Sequence, residues 1–163
     1  MSVKENIVVG DGAITRGILD AQVVASGSFA AAGDAQSGLY VLRGLATSTA
    51  TTVLTVNNTT ATTNNQVILP DNSSYMFKVF ATAKSTTSND EGAWEFSGSI
   101  SRYAGANTTV VRTVNKTKIW ASQAYDVNIV ADAVNGGLSV QAIGVASGSV
   151  RFVAKVETVE VTT

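Results

Sequence analysis

The chain has 163 residues, enough for one domain with a sizeable core and too few for two comfortable ones. Only 14% of the residues are charged, against ~25% in an average globular domain, and a net charge of -1 leaves no electrostatic footprint for nucleic acid or an anionic membrane surface. With no Cys and no His, disulfides, thiolate chemistry, the commonest general base and the commonest metal ligand are all excluded. No apolar run approaches the ~20 residues of a membrane helix, so no membrane insertion is expected.

Met1 to Asp20 opens without a basic region leading into an apolar core, so no secretory signal is expected and synthesis in a cytoplasm follows. It holds one apolar patch at Ile7, Val8 and Val9 and a second at Ile14, Ile18 and Leu19, broken by Gly10-Asp11-Gly12. So short a segment cannot bury itself. The expectation is an extended N-terminal arm, residues 1–20, ordered by packing on a partner; the alternative is a first strand of the same domain. Residues 21–36 are dense in Ala, Ser and Gly, with Phe29 the one large side chain of the stretch from Ala25 to Gln36. Small residues let backbones approach closely, as at an axis where chains meet.

From residue 37 the pattern is that of strands. Leu39 to Leu42 is apolar on both parities and is predicted to be covered on both sides, by core and by a partner chain or loop. Thr51 to Val56 and Gln66 to Leu69 are short strands around the polar loop Asn57 to Asn65. The lone Pro70 ends the second of them, and Asp71 to Ser74 turns the chain. Two alternating runs follow, Tyr75 to Lys84 and Ala93 to Arg102, joined by the polar stretch Ser85 to Gly92. Antiparallel pairing would set Trp94 and Phe96 beside Phe77 and Val79 in one core layer. Beyond them come Thr109 to Val114 and Thr117 to Trp120 around an expected turn at Asn115-Lys116. A hairpin at Asn135-Gly136-Gly137 then joins the strand of Val127, Ile129 and Ala131 to that of Leu138, Val140 and Ala142. In the final run Val150, Phe152, Ala154 and Val156 share a parity that Val159 and Val161 break, which predicts a bulge near Glu157 and Thr158. About eight or nine strands without helical periodicity make an all-β antiparallel β-sandwich, most economically jelly-roll-like, over residues 37–163.

Tests for chemistry return little. Asp90 and Glu91 are neighbours in a loop, and Asp126 and Asp132 sit too far apart along one strand to share a water, so a glycosidase pair is missing and no enzyme is expected. Oxygen ligands for calcium at Asn89, Asp90 and Glu91 fall short of a full coordination shell, and neither metal nor other cofactor is expected. Trp120, Gln123 and Tyr125 set aromatic faces beside an amide, the kit for stacking and bonding a sugar; alternatively Trp120 caps the core and Tyr125 anchors a turn.

Several stretches, in order, carry a resemblance: Gly33-Asp34-Ala35-Gln36, Leu69 to Tyr75, Ala93 to Gly98, Asn135 to Leu138 and Val150 to Ala154. From about Ala25 onward the chain resembles a β module common at the C-termini of phage virion structural proteins, and its Ala/Ser/Gly stretch resembles the repeats of trimeric adhesin heads and phage tail fibres. The resemblance implies a homotrimer, with Phe29, Leu39 and Tyr40 at its contacts, and a place in the virion. A capsid decoration, cement or head-fibre protein held to other virion proteins by Ile7, Val8, Val9, Ile14, Ile18 and Leu19 is the first functional expectation. The alternative is the receptor-binding tip of a short tail fibre, reading host surface glycan with the loops Asn57 to Asn65, Ser85 to Gly92 or Ala121 to Tyr125.

Overall fold

The computed structural model describes residues 5–163. In chain order the strands are β1 (Ile7–Val9), β2 (Gln22–Val24), β3 (Ala35–Ala46), β4 (Thr51–Val53), β5 (Val67–Ile68), β6 (Ser73–Ser85), β7 (Glu91–Arg102), β8 (Val110–Ala121), β9 (Asp126–Asp132), β10 (Gly137–Ile143) and β11 (Val150–Thr162). They form a seven-stranded sheet, β1-β2-β3-β11-β6-β7-β8, and a four-stranded sheet in which β9 runs along one edge of β10 while β4 and β5 share the other. All pairs are antiparallel except β1 with β2. The result is the all-β sandwich that the patterning predicts. No described helix is long and apolar enough to cross a membrane.

The two central runs behave as their alternation requires. Along β6 Tyr75, Phe77, Val79, Ala81 and Ala83 are buried, while Met76, Lys78, Phe80, Thr82 and Lys84 face out. Val79 pairs with Phe96 and Ala81 with Trp94. Phe77 lies opposite Gly98, whose missing side chain leaves room for the Phe77 ring: a Cβ there would stand 2.6 Å from it. Phe152 sits 6.2 Å from the Trp94 ring and meets Tyr125 edge-on at 6.4 Å, packing β11 against the residue that leads into β9. Fully burying each such aromatic contributes on the order of 2–3 kcal/mol.

Three expectations are corrected. There is no turn at Asn115-Lys116: β8 runs through, Asn115 pairing with Ser97 and Lys116 with Phe96, because no residue there supplies the positive φ of a tight turn. The Lys116 ammonium instead reaches β9, donating to Asp126 at 2.6 Å and Asn128 at 3.1 Å. No bulge interrupts β11, which pairs without a break from Val150 to Val161; the parity of Val150 continues inward through Thr158 and Glu160, and Val159 and Val161 are exposed. The irregularities fall between β7 and β8, at Ala93/Trp94 and Ser99/Ile100. Finally, residues 5–20 are no free arm. Ile18 is fully buried in the main core with Leu19 against it, and the Leu19 amide donates to the Asn64 carbonyl at 2.9 Å. The small sheet does not cover the whole inner face of the large one, and the leader closes the remainder. Met1 to Lys4, the rest of the predicted arm, lie outside the described residues.

Candidate functional site

What holds the leader down is a polar cluster on the inner face. The Glu160 carboxylate is fully buried and accepts from four donors: Arg16 at 2.5 Å, Thr158 at 2.6 Å, Gln36 at 2.9 Å and Tyr40 at 3.0 Å. Arg16 also donates to the Tyr75 hydroxyl at 2.7 Å and to the Gly33 carbonyl. The Gln36 amide grips the leader backbone twice, accepting from the Ile14 amide at 3.1 Å and donating to the Ile14 carbonyl at 3.0 Å. Burial works against the Arg16 charge, but Tyr75 and Glu160 more than offset it and its pKa rises. Burial, reinforced by the Glu160 charge, pushes the Tyr40 and Tyr75 hydroxyls far above their ordinary range, so both stay protonated. Every group in this cluster is engaged by another residue of the chain; it binds the protein to itself.

Next to it the Ala/Gly stretch folds into a tight turn around Asp34, whose carboxylate accepts the amides of Phe29 (2.9 Å), Ala30 (2.6 Å) and Ala31 (2.8 Å). These bonds, that from Ala31 foremost, hold the Asp34 carboxyl below the usual carboxylate range. Phe29 projects from the turn, 85% exposed, at the rim of a cavity of about 730 Å³ lined by Ile14, Ala30, Pro70 and Val161. Of the expected trimer contacts, Phe29 is therefore on the surface, and Leu39 lies half-buried on the outer face of the large sheet. Tyr40 points inward and is spent on Glu160; alternation along β3 put it in the core, and it cannot meet another copy. Val41, predicted to be covered, is exposed on that outer face with Met76, Phe80, Val153 and Val159. The ammoniums of Lys78 and Lys155 lie 4.8 and 4.9 Å from the Phe80 ring centre and pair with Glu95 at 3.0 Å and Glu157 at 2.8 Å. Of the expected arm contacts, Ile7, Val8 and Val9 are half-exposed on edge strand β1, and Ile14 is partly exposed. Ile18 and Leu19 belong to the core and are not free for a partner.

The opposite end of the sandwich is open and polar. The β6–β7, β8–β9 and β10–β11 loops meet there around a cleft of about 300 Å³ lined by Ser85, Ser88, Asp90, Gln123, Tyr125 and Ser147. Gln123 Nε2 donates to Asp90 Oδ1 at 3.2 Å and Ser88 Oγ to Asp90 Oδ2 at 2.6 Å, across 33 residues of sequence in the first case. The Ser88 hydroxyl, then the Gln123 amide, hold the Asp90 carboxyl ionised below its usual range. Ser122 clasps the Glu91 backbone, accepting from its amide at 2.8 Å and donating to its carbonyl at 3.1 Å, so the two loops move as one.

The predicted sugar platform is assembled only in part. Trp120 is 58% exposed but faces outward opposite Ala93, whereas Tyr125 is 2% exposed and packs on Phe152. The two rings thus lie on opposite sides of the sheet, and of the predicted trio Gln123 and the edge of Tyr125 line the cleft while Trp120 does not. Trp120 does not cap the core, while Tyr125 does anchor it. The Asn57 to Asn65 loop is exposed at Asn58 to Thr60 and Thr62 to Asn64, and is held at its end by the buried Asn65, which donates to Asn57, Thr59 and Thr60. Glu91 leans to Lys84 at 3.7 Å, away from Asp90, and among the described residues no three Asp, Glu, His or Cys gather into a metal site.

No protein-family model and no curated protein matches the chain. Among solved structures the chain is similar to the tailspike protein gp49 of Acinetobacter baumannii bacteriophage Fri1, a capsular polysaccharide depolymerase: 17% identity, TM-score 0.42, over 79% of this chain and 18% of that one. It is also similar to the tailspike of Acinetobacter baumannii phage AM24, at 10% identity and TM-score 0.30, over 73% of this chain and 26% of that one. The chain therefore spans about a quarter or less of each tailspike, and a likeness at these scores carries no conclusion about what the chain does.

Proposed function

We propose that the chain is a non-catalytic, homotrimeric module of a phage tail that holds host surface glycan at its loop end. The observation that carries the reading is the cleft between the three loops, where hydroxyls, an amide and an ionised carboxylate converge on a rigid sandwich. Such a set of donors and acceptors on a concave floor suits a hydroxyl-rich ligand. The rest of the molecule is arranged for it. β6 spans the length between the cleft and the leader, 13 residues or about 40 Å, so attachment and recognition occupy opposite ends. The exposed apolar face around Val41, Met76, Phe80 and Val159, together with Phe29, is surface that further copies would cover. Three weak sites on one rigid body would gain by effective concentration what each lacks in affinity. The test is adsorption competition: saturating purified protein should block attachment of the parent phage to its host, and unchanged attachment ends the reading.

A second reading, a capsid decoration protein, draws support from Ile7, Val8 and Val9, which stay half-exposed on the free edge of β1 and could meet a shell subunit. Under it, Ile7→Ser with Val9→Ser should abolish binding to empty particles while the fold persists; full binding by that variant removes it.

A further inference from the structure

Resting on the glycan reading above, we infer that the loop-end cleft takes a single non-acidic sugar residue, neutral or amino, and turns away uronic and sialic acids. The argument starts from charge. Asp90 is the one carboxylate lining the cleft, and no Lys or Arg lines it. Lys84 acts on Asp90 through space but does not line the cleft, and its ammonium is already engaged by the Asn89 carbonyl at 2.7 Å and by Glu91 at 3.7 Å. Nothing in the cleft therefore offsets a carboxylate, sulfate or phosphate brought in by a ligand, and Asp90 repels it at close range.

The bonding capacity points the same way. An ionised carboxylate offers about four lone-pair positions, and Asp90 uses one on each oxygen, for Ser88 and for Gln123. The remaining positions can only accept, so they select a ligand that donates through hydroxyl, amide N–H or ammonium. The Gln123 amide oxygen, which accepts no hydrogen bond among the described residues, adds an acceptor, while Ser85 and Ser147 can donate or accept. Volume limits the ligand to one ring: about 300 Å³ is at the bottom of the ~300–1,000 Å³ range of ligand pockets. The apolar side of that ring would lie against the partly exposed Val145, which also lines the cleft.

The experiment titrates the intact 163-residue chain with glucose, glucosamine and N-acetylglucosamine, and with glucuronic acid and N-acetylneuraminic acid, following the backbone amides of Ser88, Gln123 and Ser147 by NMR. Non-acidic sugars should shift these amides with at least about tenfold tighter binding than the acids at low salt, and the gap should narrow as salt rises. Asp90→Asn, which keeps a partner for Ser88 and whose folding the same spectrum reports, should shrink the preference to less than about threefold. Acids binding at these amides as tightly as neutral sugars would overturn the charge selection and leave the glycan reading standing. If no sugar moves these amides while the protein still blocks phage adsorption, the cleft is the wrong place. If adsorption is also unaffected, both fall.

Discussion

Replacing Arg16 by Ala tests whether the leader is part of the fold. Glu160 is fully buried and Arg16 is 13% exposed, so solvent screens the pair little. Removing one partner of a buried ion pair costs about 3–5 kcal/mol, because the charge left behind is uncompensated. Here Gln36, Tyr40 and Thr158 still donate to Glu160, which argues for the lower part of that range, about 3–4 kcal/mol. At roughly 2–4 °C per kcal/mol for a domain of this size, the melting temperature should fall by about 6–16 °C. Urea unfolding at fixed protein concentration, read by emission of the buried Trp94, measures the free-energy loss and a thermal scan the temperature shift; Trp120, already exposed, should contribute little emission change. The double variant Arg16→Met with Glu160→Leu removes both charges but strands the buried Tyr40 hydroxyl and takes an acceptor from Gln36 and Thr158, so it should recover only part of the loss. A loss below about 1 kcal/mol for Arg16→Ala would refute the claim that this pair closes the inner face.

Three further outcomes are expected. The Asp34 carboxyl titrates below its unfolded value, so its contribution to the connector turn is present above the ordinary carboxylate pKa and is lost as pH falls through the depressed one; the Phe29, Ala30 and Ala31 amides should lose exchange protection in acid, and Asp34→Asn should remove that pH dependence. Trp94→Ala should cost about 3–5 kcal/mol and Trp120→Ala less than about 0.5 kcal/mol, by chemical denaturation, because one ring fills the core and the other faces solvent. Deleting residues 1–20 takes Arg16 and Ile18 together, so the truncated chain should show no cooperative unfolding transition by circular dichroism, whereas an intact transition would restore the free-arm reading.

The core was legible wherever apolar residues kept one parity. Tyr75 to Ala83 and Trp94 to Ile100 name the buried layer directly, and the order of the hairpins puts the β6–β7 and β8–β9 loops at the same end. What stayed hidden was polar. Glu160 sits at an inward position of β11, but a carboxylate among Val159 and Val161 reads as the solvent face, and the parity was shifted to suit the valines. The signal was the strand itself: continuing from Val150 by twos leads to Thr158 and Glu160, and a buried acid then demands a cation, which the glycine-broken leader supplies at Arg16. Trp120 and Tyr125 failed as a pair for a related reason. A loop of unknown turn separates them, and period-two reasoning does not carry from one strand to the next across it.

The buried leader also constrains how such a protein can be attached. An arm that peeled away to grip a neighbour would expose Ile18 and leave Glu160 facing an apolar layer without its guanidinium, a cost comparable to a large share of a domain's ~5–15 kcal/mol of stability. Contacts made without peeling carry no such cost. The half-exposed edge of β1, the outer face around Met76 and Val159, and Phe29 on its Asp34-braced turn are already in position, and rigid surfaces lose less entropy on docking than segments that must first detach. Assembly through those surfaces would leave the loop end, a strand-length away, uncovered.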